Sequence, residues 1–285
     1  MVPKVSVVIP YYNDGKYIAE TLYSVNQQSY SNIEIILIDD GSTDTESIHI
    51  FDEIQLNNGI KLREANAGPS AARNLGISHA AGEYILPLDA DDKIDSSYVE
   101  KAVEILERNP RCGIVYSQGA FFGIDGGKWN LPPFSMGRML ISNIIFNAGL
   151  FRKDDWKACG GYDERLKAGI EDWEFWLSIL ELEKDVYQIP EVLFHYRIKK
   201  VSRNQRFGEK KDIIRKTYFV IQEKHKILYK KFFDEYLLAS REYMMNQGVA
   251  LQELQQKTIK TRIGNMFPKL RKLKHILRER IYGIL

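Results

Sequence analysis

Short apolar, β-branched runs alternate with helix-length segments through the first 117 residues of the chain. Buried parallel strands form continuous apolar runs of this kind, and helices connect them. The five predicted strands are Val5–Pro10, Ile33–Ile38, Ile60–Arg63, Glu83–Leu88 and Gly113–Ser117. The sequence therefore predicts an α/β fold with a mostly parallel sheet flanked by helices.

The regular alternation ends near residue 118, and the later elements follow a different pattern. Glycines at 126 and 127 after an aspartate predict a hairpin turn. Asp172–Glu183 has the apolar spacing of a helix, and Val186–Ile198 has the composition of a strand. From about Glu209 to the end we expect two or three amphipathic helices.

Polar side chains cluster directly after the predicted strands. In an open parallel sheet the carboxyl ends of the strands share one edge, and ligands bind beyond that edge. The residues concerned are Pro10, Tyr11, Tyr12 and Asn13 after the first strand, Asp39 and Asp40 after the second, Asn66 and Arg73 after the third, and Asp89, Ala90, Asp91 and Asp92 after the fourth. Because independent loops converge there, we expect a binding site at this edge.

The segment Asp89-Ala90-Asp91-Asp92 places three carboxylates within four residues. Like charges this close repel each other, and a divalent cation with oxygen ligands removes that penalty. We therefore expect a site for Mn²⁺ or Mg²⁺, with an acidic turn before the next helix as the alternative.

The aspartates after the second strand allow a binding or a structural interpretation. Asp39 can accept a hydrogen bond from a base imide or a ribose hydroxyl, or it can close an Asx-turn. Asp40 and Asp44 belong to a turn sequence, Asp40-Gly41-Ser42-Thr43-Asp44, and are assigned to turn formation.

Three further side chains at this edge also have two interpretations. Arg73 lies one turn into a predicted helix, where it can meet a diphosphate or a base, or can be solvated. Tyr11 and Tyr12 can stack on or flank a base, or one of them can belong to the core. The chain contains no G-x-G-x-x-G after the first strand and no P-loop motif, which argues against dinucleotide oxidoreductases and P-loop NTPases.

Four motifs resemble family 2 glycosyltransferases in the order and spacing of that family, and a fifth motif also matches. They are Val5-Ser6-Val7-Val8-Ile9-Pro10-Tyr11-Tyr12-Asn13, Ile38-Asp39-Asp40-Gly41-Ser42-Thr43-Asp44, Asn66-Ala67-Gly68-Pro69-Ser70-Ala71-Ala72-Arg73-Asn74, Leu88-Asp89-Ala90-Asp91-Asp92 and Glu171-Asp172-Trp173-Glu174. The resemblance covers roughly residues 1–205. It is specific for the family and unspecific for the sugar.

The resemblance implies a GT-A fold and a role for each matching residue. The resemblance and the strand-end pattern together suggest a set of donor-binding residues. They are Pro10, Tyr11, Tyr12, Asn13, Asp39, Asn66, Arg73, Asp89 and Ala90. It places the metal on Asp91, with His195 in position to complete the metal shell or touch the diphosphate. It places the general base at Asp172, with Glu171 and Trp173 as support on the acceptor side. Each of these two roles has an alternative. His195 can lie in a half-buried strand and bind a structural partner. Asp172 can be an acidic residue that the dipole favours at the start of a helix.

The expected function is transfer of one sugar, with inversion, from a nucleoside diphosphate donor to a hydroxyl of a glycan or lipid-linked glycan. Uridine is the base that the family resemblance suggests, and cell-surface polysaccharide synthesis is the expected setting. The alternatives are an inactive nucleotide-sugar-binding protein and a sugar nucleotidyltransferase. Neither the Q-x-x-R-W motif nor the transmembrane helices of the family's processive members are found, so we expect single additions.

Charge divides the chain into an acidic body and a basic C-terminal part. Residues 1–200 hold 20 basic and 30 acidic side chains, whereas 201–285 hold 20 basic and 8 acidic. In 257–285 the basic residues interleave with apolar ones at near-helical spacing, which is typical of a helix on an anionic membrane surface. Packing on the domain or on a partner subunit is the alternative, and no nucleic-acid-binding module accompanies the segment.

These patterns suggest a division into 1–205, the glycosyltransferase domain, and 206–285, a basic amphipathic helical extension. Within the domain we expect a nucleotide-sugar-binding half, 1–117, and an acceptor-binding half, 118–205. Two cysteines are too few for a disulfide framework, and no apolar run reaches membrane-spanning length. We expect a cytoplasmic protein, free or peripheral on the inner face of the membrane.

Overall fold

Nine strands form one mixed sheet in the computed structural model, which describes residues 2–167, 169–200 and 211–249. The strands are β1 (Val5–Tyr11), β2 (Ile33–Asp40), β3 (Gly59–Glu64), β4 (Tyr84–Pro87), β5 (Lys93–Ile94), β6 (Cys112–Gly123), β7 (Gly127–Trp129), β8 (Leu150–Arg152) and β9 (Asp185–Ile198). The helices are α1 (Gly15–Asn26), α2 (Thr45–Glu53), α3 (Pro69–His79), α4 (Tyr98–Arg108), α5 (Met136–Met139), α6 (Lys153–Cys159), α7 (Glu171–Leu180), α8 (Lys211–Lys224), α9 (Lys226–Lys231) and α10 (233–249). The spatial strand order is β3-β2-β1-β4-β8-β6-β9-β5, and β7 pairs with β6.

The first half of the sheet is parallel, as the sequence predicts. β3, β2, β1 and β4 lie side by side, and their register aligns Tyr11 with Asp39 and Asp39 with Arg63. The carboxyl ends of β1 and β2 therefore meet at one edge. Pro69 occupies the first turn of α3, where its missing N–H leaves no helical hydrogen bond unmade.

The second half of the sheet mixes directions. β8 lies antiparallel between β4 and β6, so the fifth predicted strand is not the parallel neighbour of the fourth. β6 extends well past the predicted end at Ser117 and forms the expected hairpin with β7. It then pairs in parallel with β9 along most of its length. The expected boundary between the nucleotide-sugar-binding half (1–117) and the acceptor-binding half (118–205) thus falls inside a continuous strand.

Helix α7 is buried on nearly all sides. Trp173, Phe175 and Trp176 are each no more than 1% exposed, and Phe151 packs edge-on against Phe175 with ring centroids 5.0 Å apart. The carboxylates of Glu171 and Glu174 are buried with these rings, because each has a basic partner, Arg73 for the first and Lys224 for the second. This packing fixes the position of its N-terminal residues, Glu171 and Asp172.

The predicted C-terminal helices are present from Lys211, and they dock on the body of the protein. The ring of Tyr218 on α8 lies 5.1 Å from that of Trp173, and the Tyr229 hydroxyl donates to the Leu140 carbonyl at 2.7 Å. The basic segment 257–285 lies outside the described residues. Within the described part of the chain, no helix has the length and apolarity required to cross a bilayer.

Candidate active site

A cavity of about 910 Å³ lies at the carboxyl edge of the parallel strands. The end of β1, the loop before α3, the loop after β4, the start of α7 and the end of β9 line it. The predicted site residues on its wall are Pro10, Tyr11, Tyr12, Asn66, Arg73, Asp89, Ala90, Asp91, Glu171 and Asp172. Segments more than 150 residues apart in sequence thus meet in one cavity.

Arg73 is a buried cation on the wall of this cavity. Its Nη2 lies 2.8 Å from Asp89 Oδ1 and its Nη1 lies 3.0 Å from Glu171 Oε1, while the residue is only 2% exposed. Burial opposes the charge, but the two carboxylates outweigh it and raise the pKa of Arg73 above its ordinary value. Among the described residues, no acceptor lies within hydrogen-bond distance of its buried Nε.

Asp89 is held by two donors, which orient the loop after β4. Besides Arg73, the Asn147 amide donates to Asp89 Oδ1 at 3.1 Å. The Thr21 hydroxyl lies 2.9 and 2.8 Å from the backbone carbonyl oxygens of Ala90 and Asp92, which share its one hydrogen. The acidic loop is a turn closed by the Asp92 N–H, which donates to the Asp89 carbonyl at 3.1 Å, and these contacts hold the turn in place.

Asp91 and Asp92 have different environments. Asp92 is 2% exposed and its Oδ1 accepts from the backbone N–H of Arg197 at 2.9 Å, so it secures the loop to β9. Asp91 faces the cavity, and its Oδ2 lies 2.7 Å from Lys199 Nζ. Burial, together with Asp89 and Asp14, raises the pKa of Asp91 to about 6 despite the nearby lysine.

Asp172 stands at the first turn of α7 with both carboxylate oxygens hydrogen-bonded. Its Oδ2 accepts from the Asn143 side-chain amide at 2.9 Å, and its Oδ1 accepts from the backbone N–H of Trp173 at 2.9 Å. Burial and the neighbouring Glu171 raise the pKa of Asp172 to about 6, against the opposing effect of Arg73. A carboxylate with this pKa is ionised at neutral pH and basic enough to accept a proton.

Two of the predicted donor-binding residues, Asn13 and Asp39, make contacts within the chain. The Asn13 side chain bridges two loops, because its Oδ1 accepts from the backbone N–H of Thr43 at 2.8 Å and of Asp44 at 3.1 Å. Asp39 is 1% exposed and is bound by Arg63 Nε at 2.8 Å and by the Ser42 N–H at 2.9 Å. Neither side chain lines the cavity.

Tyr11 is largely a core residue, while its neighbour Tyr12 faces solvent. The Tyr11 side chain is fully buried, its hydroxyl donates to the Ser47 carbonyl at 2.6 Å, and its ring lies 5.6 Å from that of Phe51. Tyr12 is 43% exposed at the cavity wall. Successive side chains of an extended chain point to opposite sides. Tyr11 therefore belongs to the core, whereas Tyr12, which directly follows β1, does not.

Two further residues lie outside the cavity wall. His195 lies 3.0 Å from Asp95 and its ring packs edge-on against Phe122. The adjacent strand residues Phe194 and Tyr196 line the cavity instead. Trp173 is 1% exposed, and its indole N–H donates to the Met139 carbonyl at 2.7 Å.

The structure adds residues that the sequence did not single out. Asp40, assigned to turn formation, accepts from the backbone N–H of Ala67 at 2.8 Å and of Gly68 at 3.1 Å, and so fixes the loop before α3. Among the cavity residues that sequence reasoning did not place in the site are Asp14, Asn143, Asn147 and Lys199. Only Asp14 carried a signal, because it follows β1 of the parallel half, whereas the other three lie beyond that half.

One wall of the cavity is aromatic. Trp129 on β7 lies with its ring 5.6 Å from Tyr196 on β9, and Phe146 stacks on Phe194 at 4.1 Å. These four side chains and Tyr218 of α8 all line the cavity. The cavity thus has a charged end at Arg73 and an aromatic wall.

The chain matches the description "Glycosyl transferase family 2" over residues 6–163, which is more than half of its length. The chain belongs to glycosyl transferase family 2. The matched part includes the strand-end motifs up to Asp92, whereas Asp172 and His195 lie beyond it.

Curated relatives of family 2 extend the similarity along the chain. Glycosyltransferase GlyG of Streptococcus pneumoniae serotype 4 is 43% identical over 158 residues, which are 54% of this chain and 51% of GlyG. A glycosyltransferase of Bacillus subtilis, TuaG, whose name places it in teichuronic acid biosynthesis, is 30% identical over 236 residues, which are 80% of this chain and 91% of TuaG. The chain spans about half the length of GlyG, and likewise 52% of a Haemophilus influenzae glycosyltransferase.

Solved structures confirm the expected fold. TarS of S. aureus in complex with UDP-GlcNAc has a TM-score of 0.61 at 21% identity, with 71% of this chain and 60% of that chain covered. TarS in complex with UDP has a TM-score of 0.58 at 23% identity, with 69% and 61% covered. The GT-A fold that the motifs imply is therefore the fold of this family 2 chain.

The metal that the family resemblance implies can be compared with the oxygens present. Within the described residues, no three Asp, Glu, His or Cys side chains converge on one point. Two carboxylates, Asp14 and Asp91, meet at Lys199 Nζ, at 2.6 and 2.7 Å. Carboxylate oxygens suit Mn²⁺ or Mg²⁺, so the donor set fits a divalent cation once the ammonium has left that point.

Proposed function

We propose that this family 2 chain is an inverting glycosyltransferase that moves one sugar from a UDP-sugar to a hydroxyl of a glycan or lipid-linked glycan. The observation that carries the proposal is that Arg73, Asp89, Asp91 and Asp172 line the same cavity. TarS, which shares the fold, has been solved with UDP and with UDP-GlcNAc. The names of TuaG and of the hyaluronan synthase of Pasteurella multocida support a role in polysaccharide synthesis.

The donor diphosphate is proposed to bind at the charged end of the cavity. Arg73 keeps its charge because two carboxylates raise its pKa, and its Nε has a free hydrogen among the described residues. A buried, fixed guanidinium stabilises negative charge more strongly than one in water. Pro10 and Tyr12 at the end of β1 and Asn66 before α3 form the wall for the nucleoside.

Asp172 is proposed to accept the proton of the acceptor hydroxyl. The acceptor oxygen bonds to the anomeric carbon, the bond from that carbon to the diphosphate oxygen breaks, and the nucleoside diphosphate leaves with the electron pair. The Asn143 amide holds one Asp172 oxygen at 2.9 Å, so the carboxylate keeps one orientation through the step. Attack from the side opposite to the leaving group inverts the anomeric carbon.

A divalent cation bound by Asp91 and Asp14 would supply positive charge to neutralise the diphosphate as it leaves. Arg73 supplies charge to the same end from the protein itself. Asp89, held by Arg73 and Asn147, keeps that guanidinium in place.

The aromatic wall is proposed to receive the acceptor. Aromatic side chains suit the C–H faces of sugar rings, and Trp129, Tyr196 and Tyr218 line the cavity. For a lipid-linked acceptor the protein would work at the cytoplasmic face of a membrane, with residues 257–285 on the anionic surface.

The test is transfer from UDP-GlcNAc and other UDP-sugars to a panel of glycan acceptors with Mn²⁺, with the product anomer read by NMR. We expect an inverted product, loss of transfer in Asp172→Asn with donor binding retained, and wild-type transfer in Asp95→Asn, a matched change outside the cavity. Donor binding without transfer to any acceptor would favour the inactive binding protein. Formation of pyrophosphate from UTP and a sugar phosphate would favour the nucleotidyltransferase.

A further inference from the structure

Lys199 lies between two carboxylates on the wall of the cavity. Its Nζ is 2.6 Å from Asp14 Oδ1 and 2.7 Å from Asp91 Oδ2. The Tyr17 ring lies 4.8 Å from the same nitrogen and faces it. All three charged side chains are about one-fifth exposed, and all three line the cavity.

The contacts of Lys199 explain how two carboxylates can lie so close together. Without a cation, Asp14 and Asp91 would repel each other across a partly buried space. Asp14 precedes α1, yet its side chain makes no capping hydrogen bond and turns to Lys199 instead. Burial opposes the charge of Lys199, but the two carboxylates outweigh it and raise its pKa above its ordinary value.

The segment that carries Lys199 is firmly anchored just before it. Arg197 donates from Nε to the Asp91 carbonyl at 2.7 Å and from its backbone N–H to Asp92 at 2.9 Å. Its guanidinium packs between the rings of Tyr17 and Phe122, at 4.7 and 4.3 Å. The backbone is therefore held by Arg197, and the four-carbon stem of Lys199 can swing without disturbing the strand.

We propose that Lys199 is an internal counter-ion that occupies the cation position of the donor-free protein and moves to the donor diphosphate when the metal and the nucleotide bind. This inference rests on the proposed function, because it names a positioning residue for the UDP-sugar. An ammonium and a divalent cation need the same two carboxylates, so they exclude each other. The diphosphate offers the displaced ammonium a new anionic partner within the same cavity.

This exchange couples the binding of metal and nucleotide. Metal alone must displace Lys199 with no anion to receive it, so it binds weakly. Nucleotide supplies that anion, so it strengthens metal binding, and by linkage the metal strengthens nucleotide binding by the same factor. A purely structural ion pair would give no such coupling through Lys199.

The test is titration calorimetry of MnCl₂, with and without UDP, on the full chain. Lys199→Met should bind Mn²⁺ alone about tenfold more tightly than the wild type, which corresponds to about 1.4 kcal/mol. The same variant should bind UDP with Mn²⁺ about tenfold more weakly and show less coupling. Lys93→Met, which removes a lysine paired with Glu20 outside the cavity wall, should match the wild type.

Unchanged Mn²⁺ affinity in a folded Lys199→Met protein would overturn the proposal. If that variant does not fold, Lys199→Gln replaces it, since its amide still donates to one carboxylate while the charge is lost. A wild type that binds no UDP under any condition contradicts the proposed function, whereas the arm with Mn²⁺ alone still decides the role of Lys199.

Discussion

At the scale of single residues, Asp172 combines a fixed orientation with a raised pKa. Its pKa is raised to about 6 by burial and by Glu171. A general base works as the carboxylate, so turnover should be constant above about pH 7 and should fall about tenfold per pH unit well below 6. The measurement is kcat against pH with saturating donor and acceptor.

The effect of protonating Asp91 must be distinguished from that of protonating Asp172 in the pH profile of kcat, because the pKa of Asp91 is also raised to about 6. The dissociation constant of UDP with Mn²⁺ over the same pH range reports the donor end alone. Retention of full kcat at pH 5 with donor bound would exclude Asp172 as the base.

Arg73 gives a prediction about stability. It is 3% exposed in its side chain and pairs with Glu171, which is 2% exposed. Removing one partner of a buried pair leaves an uncompensated charge, so Arg73→Met should lower the free energy of unfolding by about 3–5 kcal/mol. Urea denaturation measures this loss, and Arg73→Met with Glu171→Gln should recover part of it. No recovery would mean that the Glu171 charge is not what the guanidinium compensates.

The residues that could be predicted are those at the ends of parallel strands. Arg73, Asp89 and Asp91 reach the cavity because strand ends share an edge, whereas Asn13 and Asp39, predicted by the same rule, do not line it. Asn143 and Lys199 could not be predicted in this way, because one lies in an irregular segment and the other follows a strand of the mixed half. Their partners lie 29 to 185 residues away, so only the folded chain brings them together.

At the scale of elements, α3 must approach the sheet closely to bring Arg73 into the cavity. A Cβ at Gly76 would lie 2.6 Å from Ile38 Cδ1 and 2.6 Å from Val8 Cγ1. Gly76→Ala should therefore lower the free energy of unfolding by about 1–3 kcal/mol, since overpacking forces strand and helix apart. Thermal or urea unfolding measures the change.

Gly248→Ala in α10 is the matched control for Gly76→Ala in α3, because both glycines lie within helices. No described atom lies within 4 Å of the added Cβ, and alanine has the higher helix propensity. It should be neutral or should stabilise the chain by up to about 1 kcal/mol. Equal destabilisation by both changes would contradict the close approach of α3.

The elements missed by the sequence are the shortest ones. β5 has two residues and β8 has three, too few for a period to be read. β8 nevertheless decides the topology, because its insertion between β4 and β6 changes the sheet from parallel to mixed. Long apolar runs predicted the first half of the sheet, whereas the second half depends on tertiary pairing.

At the scale of the whole molecule, a buried ionic cluster joins the body to the C-terminal helices. His225, which is fully buried, lies 3.1 Å from Glu174 on α7 and 3.0 Å from Glu181. Lys224 also contacts Glu174, at 2.5 Å, and the Ser178 hydroxyl donates to it at 2.8 Å. Because α7 also carries Asp172, the docking of α8 and α9 supports the helix on which the proposed base stands.

Glu174→Gln tests this connection through the pH dependence of stability. Burial alone would raise the pKa of Glu174, but hydrogen bonds from His225 and Lys224 lower it below its ordinary value of 4.5. A carboxylate with a lowered pKa in the folded state stabilises the fold above pH 4.5, and this contribution is lost as the pH falls through the lowered pKa.

Breaking the buried cluster with Glu174→Gln should lower the free energy of unfolding by about 3 kcal/mol at pH 7. The difference in free energy of unfolding between wild type and variant, measured by urea denaturation, should become smaller below pH 4.5, because protonated Glu174 resembles glutamine. A gap that stays constant with pH would show that packing, and not the charge of Glu174, holds the helices on the body.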